Sequence, residues 1–258
     1  MLPIAWSSAT SMADPMSLRR VERTWTHLGR ENPMWAVLTY KRDWDEEEFF
    51  ATGEQEITAL AEDVEALGLR FGGERALDFG SGIGRLTKAL ASRFQEVVGV
   101  DISQPMVERA RQLGLEGDGV SFVVNTRPDL SIFDADSFDL VYSNITLQHM
   151  PTDISEGYLR EFVRVVRPGG LVAFQLPTGP REDVSQPNAV KRSALALRGL
   201  AGRAVRLGRR HMEMHWLPRE AVEAILVDAG AQPIDARQDT GGGRRWESMR
   251  YVATKSRP

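Results

Sequence analysis

Cysteine is absent from all 258 residues of the chain. No disulfide can form, no thiolate can act as a nucleophile, and neither a cysteine-ligated zinc nor an iron–sulfur cluster can be held. Histidine is scarce, with 4 in the whole chain, and no group of His, Asp and Glu has spacing that suggests a metal. No apolar run approaches the ~20 residues that a membrane helix needs. The first residues lack a basic stretch followed by an apolar one, so the expectation is a cytoplasmic chain. A surplus of positive charge is missing too: 32 Lys and Arg face 36 Asp and Glu. A net charge of −4 argues against a global electrostatic grip on nucleic acid.

What is present reads as one α/β domain with additions, for which the length suffices without staples. Residues 1–16 show no period and read as a flexible tail, with Met16 a second candidate start. A patchy helical pattern over 17–40 carries Trp25, Trp35 and Tyr40. A longer one follows, with Phe49, Phe50, Ile57, Leu60, Ala61, Val64 and Leu67 at helical spacing and Gly68 as its stop. From Arg75 short apolar runs alternate with helical patterns: RALDF, EVVGVD, VSFVV, FDLVYSN and GLVAFQLP are the runs. That alternation predicts βαβ units and a parallel sheet covered on both faces. Beyond Pro177 come a loop, a basic amphipathic stretch over 189–211, a helix over Pro218–Ala229, and two closing strands, Gln232–Ala236 and Met249–Thr254.

Three segments carry chemistry. Asp78-Phe79-Gly80-Ser81-Gly82-Ile83-Gly84 lies between a strand and a helix, where glycines allow a tight turn and a close approach to a ligand. A dinucleotide G-x-G-x-x-G would need glycine at 85, where Arg85 stands. Asp101 ends the next strand, 21 residues after Gly80. Its carboxylate is placed to accept both hydroxyls of a ribose, or to cap the following helix, a role that Ser103 also fits. Val166-Arg167-Pro168-Gly169-Gly170-Leu171 is a helix stop and tight turn before a strand.

Together these segments resemble the class I S-adenosylmethionine (SAM) methyltransferases, strongly over about Arg75–Pro177 and loosely in the flanks. The resemblance implies a doubly wound, mostly parallel seven-stranded Rossmann-like sheet whose last strand is antiparallel. It implies a helical lid over 17–70, a SAM-binding domain over 71–258, and an acceptor-side helical insertion over 181–216. SAM would then meet Gly80, Ser81, Gly82 and Gly84 at its methionine end, with Asp78 opening that motif and counted among the cofactor residues, Asp101 and Ile102 at ribose and adenine, Asp129 and Leu130 at the adenine edge, and Asn144 near the sulfonium. Met106 completes that set. The loop VVNTRPDL departs from the tidier G-D-A/V of the family, which leaves Asp129 in doubt.

The acceptor side is less defined. His149 follows strand four, where such enzymes place an acceptor-facing residue, and His215 closes the insertion; both are candidate bases, and both are equally candidate structural residues. Trp44, Phe49 and Phe50 read either as an aromatic lid over SAM, with Phe50 counted among the cofactor residues, or as plain packing. The stretch 189–211 reads as a surface helix, with contact to an anionic acceptor or a membrane surface as the other reading. The acidic charge and the flanking caps point to a small-molecule acceptor, hydroxyl before amine, with no metal. A nicotinamide oxidoreductase and a non-catalytic SAM-binding protein are the rival classes.

Overall fold

The computed structural model describes residues 15–181 and 212–257. The basic stretch 189–211, and His211 with it, lies outside them. Three helices precede the sheet: α1 (Pro15–Glu31), α2 (Pro33–Val37) and α3 (Glu46–Ala66). The pattern over 17–40 is thus two helices, broken where Asn32 caps α2 by accepting from the Trp35 N–H at 3.1 Å with Pro33 behind it. Helix α1 begins inside the stretch that reads as a tail. Asp45 caps α3 by accepting from the Glu48 N–H at 3.1 Å, and the acidic run Glu46–Glu48 sits in the first turn, favoured by the helix dipole.

The sheet and its crossovers follow: β1 (Gly73–Phe79), α4 (Arg85–Leu90), β2 (Phe94–Asp101), α5 (Gln104–Gln112), β3 (Val120–Val124), β4 (Phe138–Ser143), a short 3-10 turn (Leu147–His149), α6 (Thr152–Val165) and β5 (Val166–Pro180). They close with α7 (Arg219–Asp228), β6 (Ala231–Asp239) and β7 (Trp246–Lys255). Strand order is β3-β2-β1-β4-β5-β7-β6, with β7 antiparallel to both neighbours. This is the expected seven-stranded, doubly wound sheet. Among the described residues, no helix is long and apolar enough to cross a membrane.

Alternation along the strands builds a core on each face. Leu77, Phe79 and Val141 pack with α6 residues such as Phe162, whereas Ala76, Leu140 and Tyr142 pack with Ile57, Leu60 and Val64 of α3. Asp63 of α3 also pairs with Arg237 of β6 and Arg250 of β7, which fastens the helix over the antiparallel edge. The chain builds outward from β1 to β3, then returns to place β4 on the other side of β1. Such a switch point leaves a crevice at the carboxyl ends of the two strands.

Candidate functional site

A cleft opens at that switch point, the place where open α/β sheets bind small molecules. Its floor is Gly80, Ser81 and Gly82 after β1 and Asn144 after β4; Asp101, Ile102 and Met106 form one side and Asn125, Met150 and Tyr158 another. Gly80 and Gly82 take φ of +77° and +54°, left-handed values that favour glycine. A Cβ on Gly80 would lie 2.2 Å from Thr146, so the loop tolerates no side chain there. Two buried acceptors in the floor, Ser81 Oγ and Asn144 Oδ1, have no partner among the described residues. Unmet buried polar atoms cost free energy unless a ligand or water satisfies them.

Asp101 is tied down before any ligand arrives. One carboxylate oxygen accepts from the Gly82 N–H at 2.8 Å and the other from the Ser103 N–H at 2.7 Å. The bond to Gly82 joins β2 to the glycine loop, while Ser103 caps α5. A carboxylate offers about four lone-pair sites, so each oxygen keeps capacity for another donor. Burial pushes the Asp101 carboxyl up to about 6, against the stabilising pull of these backbone donors. Asp78 lies deeper. It accepts from Thr87 Oγ1 at 2.6 Å, is pushed up to about 6 by burial, and does not line the cleft.

Several sequence-predicted residues fall elsewhere. Gly84 starts α4 with φ +87°, packed against Phe122, and serves the turn rather than the cleft wall. Leu130 is core, and Asp129 accepts from Ser131 Oγ at 2.7 Å out on the exposed loop. The polar residue that reaches the cleft from this side is Asn125, directly after β3, and counting from the strand end would have found it. Phe50 is buried against Phe49 and under Lys88, away from the cleft. Trp44 stacks edge-on to Phe49 and donates to the Leu38 carbonyl at 3.0 Å. The aromatic cover is instead Trp25 of α1, with Val21 beside it and Val37 at the end of α2. Ser103 Oγ donates to the Trp25 carbonyl at 3.2 Å and holds α1 against the end of β2.

A second, wider cleft of about 1550 Å³ shares Val37, Arg85, Asn144 and Ile145 with the first. Thr52, Glu56, Gln148, His149 and the 239–243 loop line the rest, with Met212 and Met214. Ile145 holds φ +56°, a strained value for a β-branched residue, and its N–H donates to Gln175 Oε1 at 3.1 Å. Gln175 in turn donates to Gln148 Oε1 at 3.1 Å, which fixes the Gln148 amide with its nitrogen towards His149 Nε2, 3.3 Å away. His149 Nδ1 lies 2.9 Å from the Glu213 carbonyl, which only accepts, so Nδ1 carries the proton. Burial lowers this imidazole to about 4. His149 is therefore a neutral, weak base whose free lone pair already meets a donor. His215 lies outside the lining of the second cleft and donates its backbone N–H to the Gln148 carbonyl at 2.7 Å.

Residues 77–174 match the family of methyltransferase domains. Over 98 residues the chain is 38% identical to malonyl-[acyl-carrier protein] O-methyltransferase of Salmonella typhimurium, a match covering 38% of this chain and 37% of that protein. The ubiquinone biosynthesis O-methyltransferase of Bordetella avium is 32% identical over 135 residues, 52% of this chain and 55% of its own. The matches thus span about half or less of these relatives. Among solved structures, magnesium protoporphyrin IX methyltransferase from Synechocystis with bound S-adenosylhomocysteine superposes with a TM-score of 0.60 at 19% identity, over 92% of this chain and 98% of that one. Residues 77–174 thus match a methyltransferase domain, and the chain shares its fold with solved methyltransferases. The Synechocystis enzyme has also been solved with bound SAM, and the cleft here has features that suit such a molecule: a carboxylate with spare lone pairs, two unmet acceptors, and a glycine loop with no room for a side chain.

Proposed function

We propose that this methyltransferase transfers the SAM methyl group to an oxygen atom of a small-molecule acceptor bound in the second cleft. The observation that carries the reading is the common wall of Val37, Arg85, Asn144 and Ile145, across which the two clefts meet. SAM supplies an electrophilic methyl on a sulfonium; the chain's own part is to bind, align and exclude water. Gly80, Ser81 and Gly82 cradle the methionine end, Asp101 accepts from the ribose hydroxyls, Ile102 and Met106 flank the adenine, and Asn144 faces the sulfonium. Val21 and Trp25 cover this assembly from α1. The curated relatives named O-methyltransferases support oxygen as the target. An amine is the second reading, favoured by Glu56 and Asp239 in the acceptor wall.

The test is incubation of the full chain with methyl-labelled SAM and a small-molecule extract, with the labelled product identified by mass spectrometry. An O-methylated metabolite is expected. Tight binding of S-adenosylhomocysteine with no transfer to any fraction would leave a SAM-binding protein and remove the catalytic reading.

A further inference from the structure

Arg85 stands at the junction of the two clefts with only 4% of its surface exposed. Among the described residues its guanidinium makes one long hydrogen bond, Nη1 to Thr52 Oγ1 at 3.4 Å, and its buried Nε has no partner. No carboxylate lies within ion-pair distance of it among the described residues, although thirteen other such pairs involve Arg or Lys. The acids of the second cleft are occupied elsewhere: Glu56 accepts from the Tyr142 hydroxyl at 2.7 Å and Asp239 from the Gly241 N–H at 2.5 Å. The buried Asp78 carboxyl feels the Arg85 charge but lies beyond ion-pair distance; a buried guanidinium without a directly paired anion is costly, and its planar fork matches a carboxylate. The single side-chain partner, Thr52, lines the acceptor cleft and not the cofactor cleft.

We propose that Arg85 is the anchor for the carboxylate of an organic-acid acceptor, and that the methyl group goes to that carboxylate to give a methyl ester. This rests on the reading of the chain as an O-methyltransferase and narrows its acceptor. A carboxylate oxygen forms the new C–O bond to the methyl carbon, the C–S bond breaks, and sulfur keeps the electron pair. The negative charge of the acceptor and the positive charge of the sulfonium cancel, and no proton moves. That balance agrees with a cleft whose histidine is neutral and has both ring nitrogens engaged.

The wild-type full chain is incubated with methyl-labelled SAM and an extract of small metabolites, and the product is treated with mild alkali. A methyl ester releases the label as methanol; ethers and N-methyl groups keep it. Released label is expected, and retained label overturns the inference while leaving O-methylation intact if the product is an ether. Label on nitrogen, or on nothing, removes the parent reading and this one with it. Arg85→Gln should lower incorporation at limiting extract by about tenfold or more, as loss of a charged hydrogen bond predicts. Arg85→Lys should recover part of it. Both variants should bind S-adenosylhomocysteine within about threefold of wild type by calorimetry, which also reports folding. If Arg85→Gln instead loses that affinity in a folded protein, Arg85 holds the methionine carboxylate of the cofactor and the acceptor assignment falls.

Discussion

At the scale of single residues, Asp101 and His149 show how burial sets chemistry. In the proposed cofactor site Asp101 would accept ribose hydroxyls best when ionised, and its value near 6 lies above the ~3.9 of a free aspartate. Lowering pH from about 7.5 to 5 therefore protonates the folded, empty site and removes an acceptor. S-adenosylhomocysteine affinity should fall across that window in a calorimetric titration. Asp101→Asn should bind more weakly at the upper end, by ~1.5–3 kcal/mol per charged hydrogen bond lost, and should show little slope. An unchanged slope in that variant would assign the titration to another group, Asp78 being the nearest rival. For His149 the expected result is a small effect. A positioned base is worth ~10²–10⁴-fold, so His149→Gln should keep turnover within about tenfold if no proton has to leave the acceptor. A loss of that larger size, with a rate that falls as pH drops through the histidine's value, would restore His149 as the base of a hydroxyl acceptor.

At the scale of elements, α1 is the piece whose role sequence periodicity describes least. Its inner residues Leu18 and Val21 join the sheet core, and Trp25 meets the His149 ring edge-on at 5.1 Å between centroids. The helix therefore lines the first cleft and contacts His149 of the second, and the Ser103 hydroxyl fastens it to the carboxyl end of β2. Binding of S-adenosylhomocysteine should slow hydrogen exchange along 15–31, because the ligand fills the space under Val21 and Trp25 and raises the cost of opening the helix. Protection confined to 78–84 and 101–103 would show that α1 is plain packing. Trp25→Ala should weaken the same ligand while leaving the sheet folded by circular dichroism.

At the scale of the whole molecule, the cofactor cleft is continuous with the larger core. Phe79 lines the cleft and packs against Phe162 of α6 at 4.9 Å and Tyr158 at 4.5 Å between centroids. Phe162→Ala should cost ~3–5 kcal/mol of stability, seen as a lower denaturation midpoint, because the cavity forms where both helix and strand are held rigid. Saturating S-adenosylhomocysteine should offset part of that loss, about 2.7 kcal/mol at a hundredfold excess over its dissociation constant. A variant that melts like wild type would mean that α6 relaxes into the space.

The sequence by itself determined the strand and helix alternation, a parallel sheet and the glycine loop, while the seven-stranded doubly wound arrangement was what the family resemblance implied. These follow from local facts: apolar periods state which face of an element is buried, and the carboxyl ends of strands lie at known positions along the chain. A period does not say what covers that face. Phe50 therefore reads equally well as a lid or as core, and only its packing against Phe49 places it in the core. Trp25, Val21 and Tyr158 reach the cleft through contacts between residues far apart in the chain. The character of His149 was decided in the same way, by a carbonyl 64 residues further on and by burial that no neighbour in sequence supplies. Arg85 is the sharpest case: in sequence it is the residue that breaks a dinucleotide glycine pattern, and only the folded chain shows a buried cation with no carboxylate in ion-pair contact among the described residues. Desolvation and pairing belong to the assembled surroundings of a group, so they are set when the tertiary structure forms and not before.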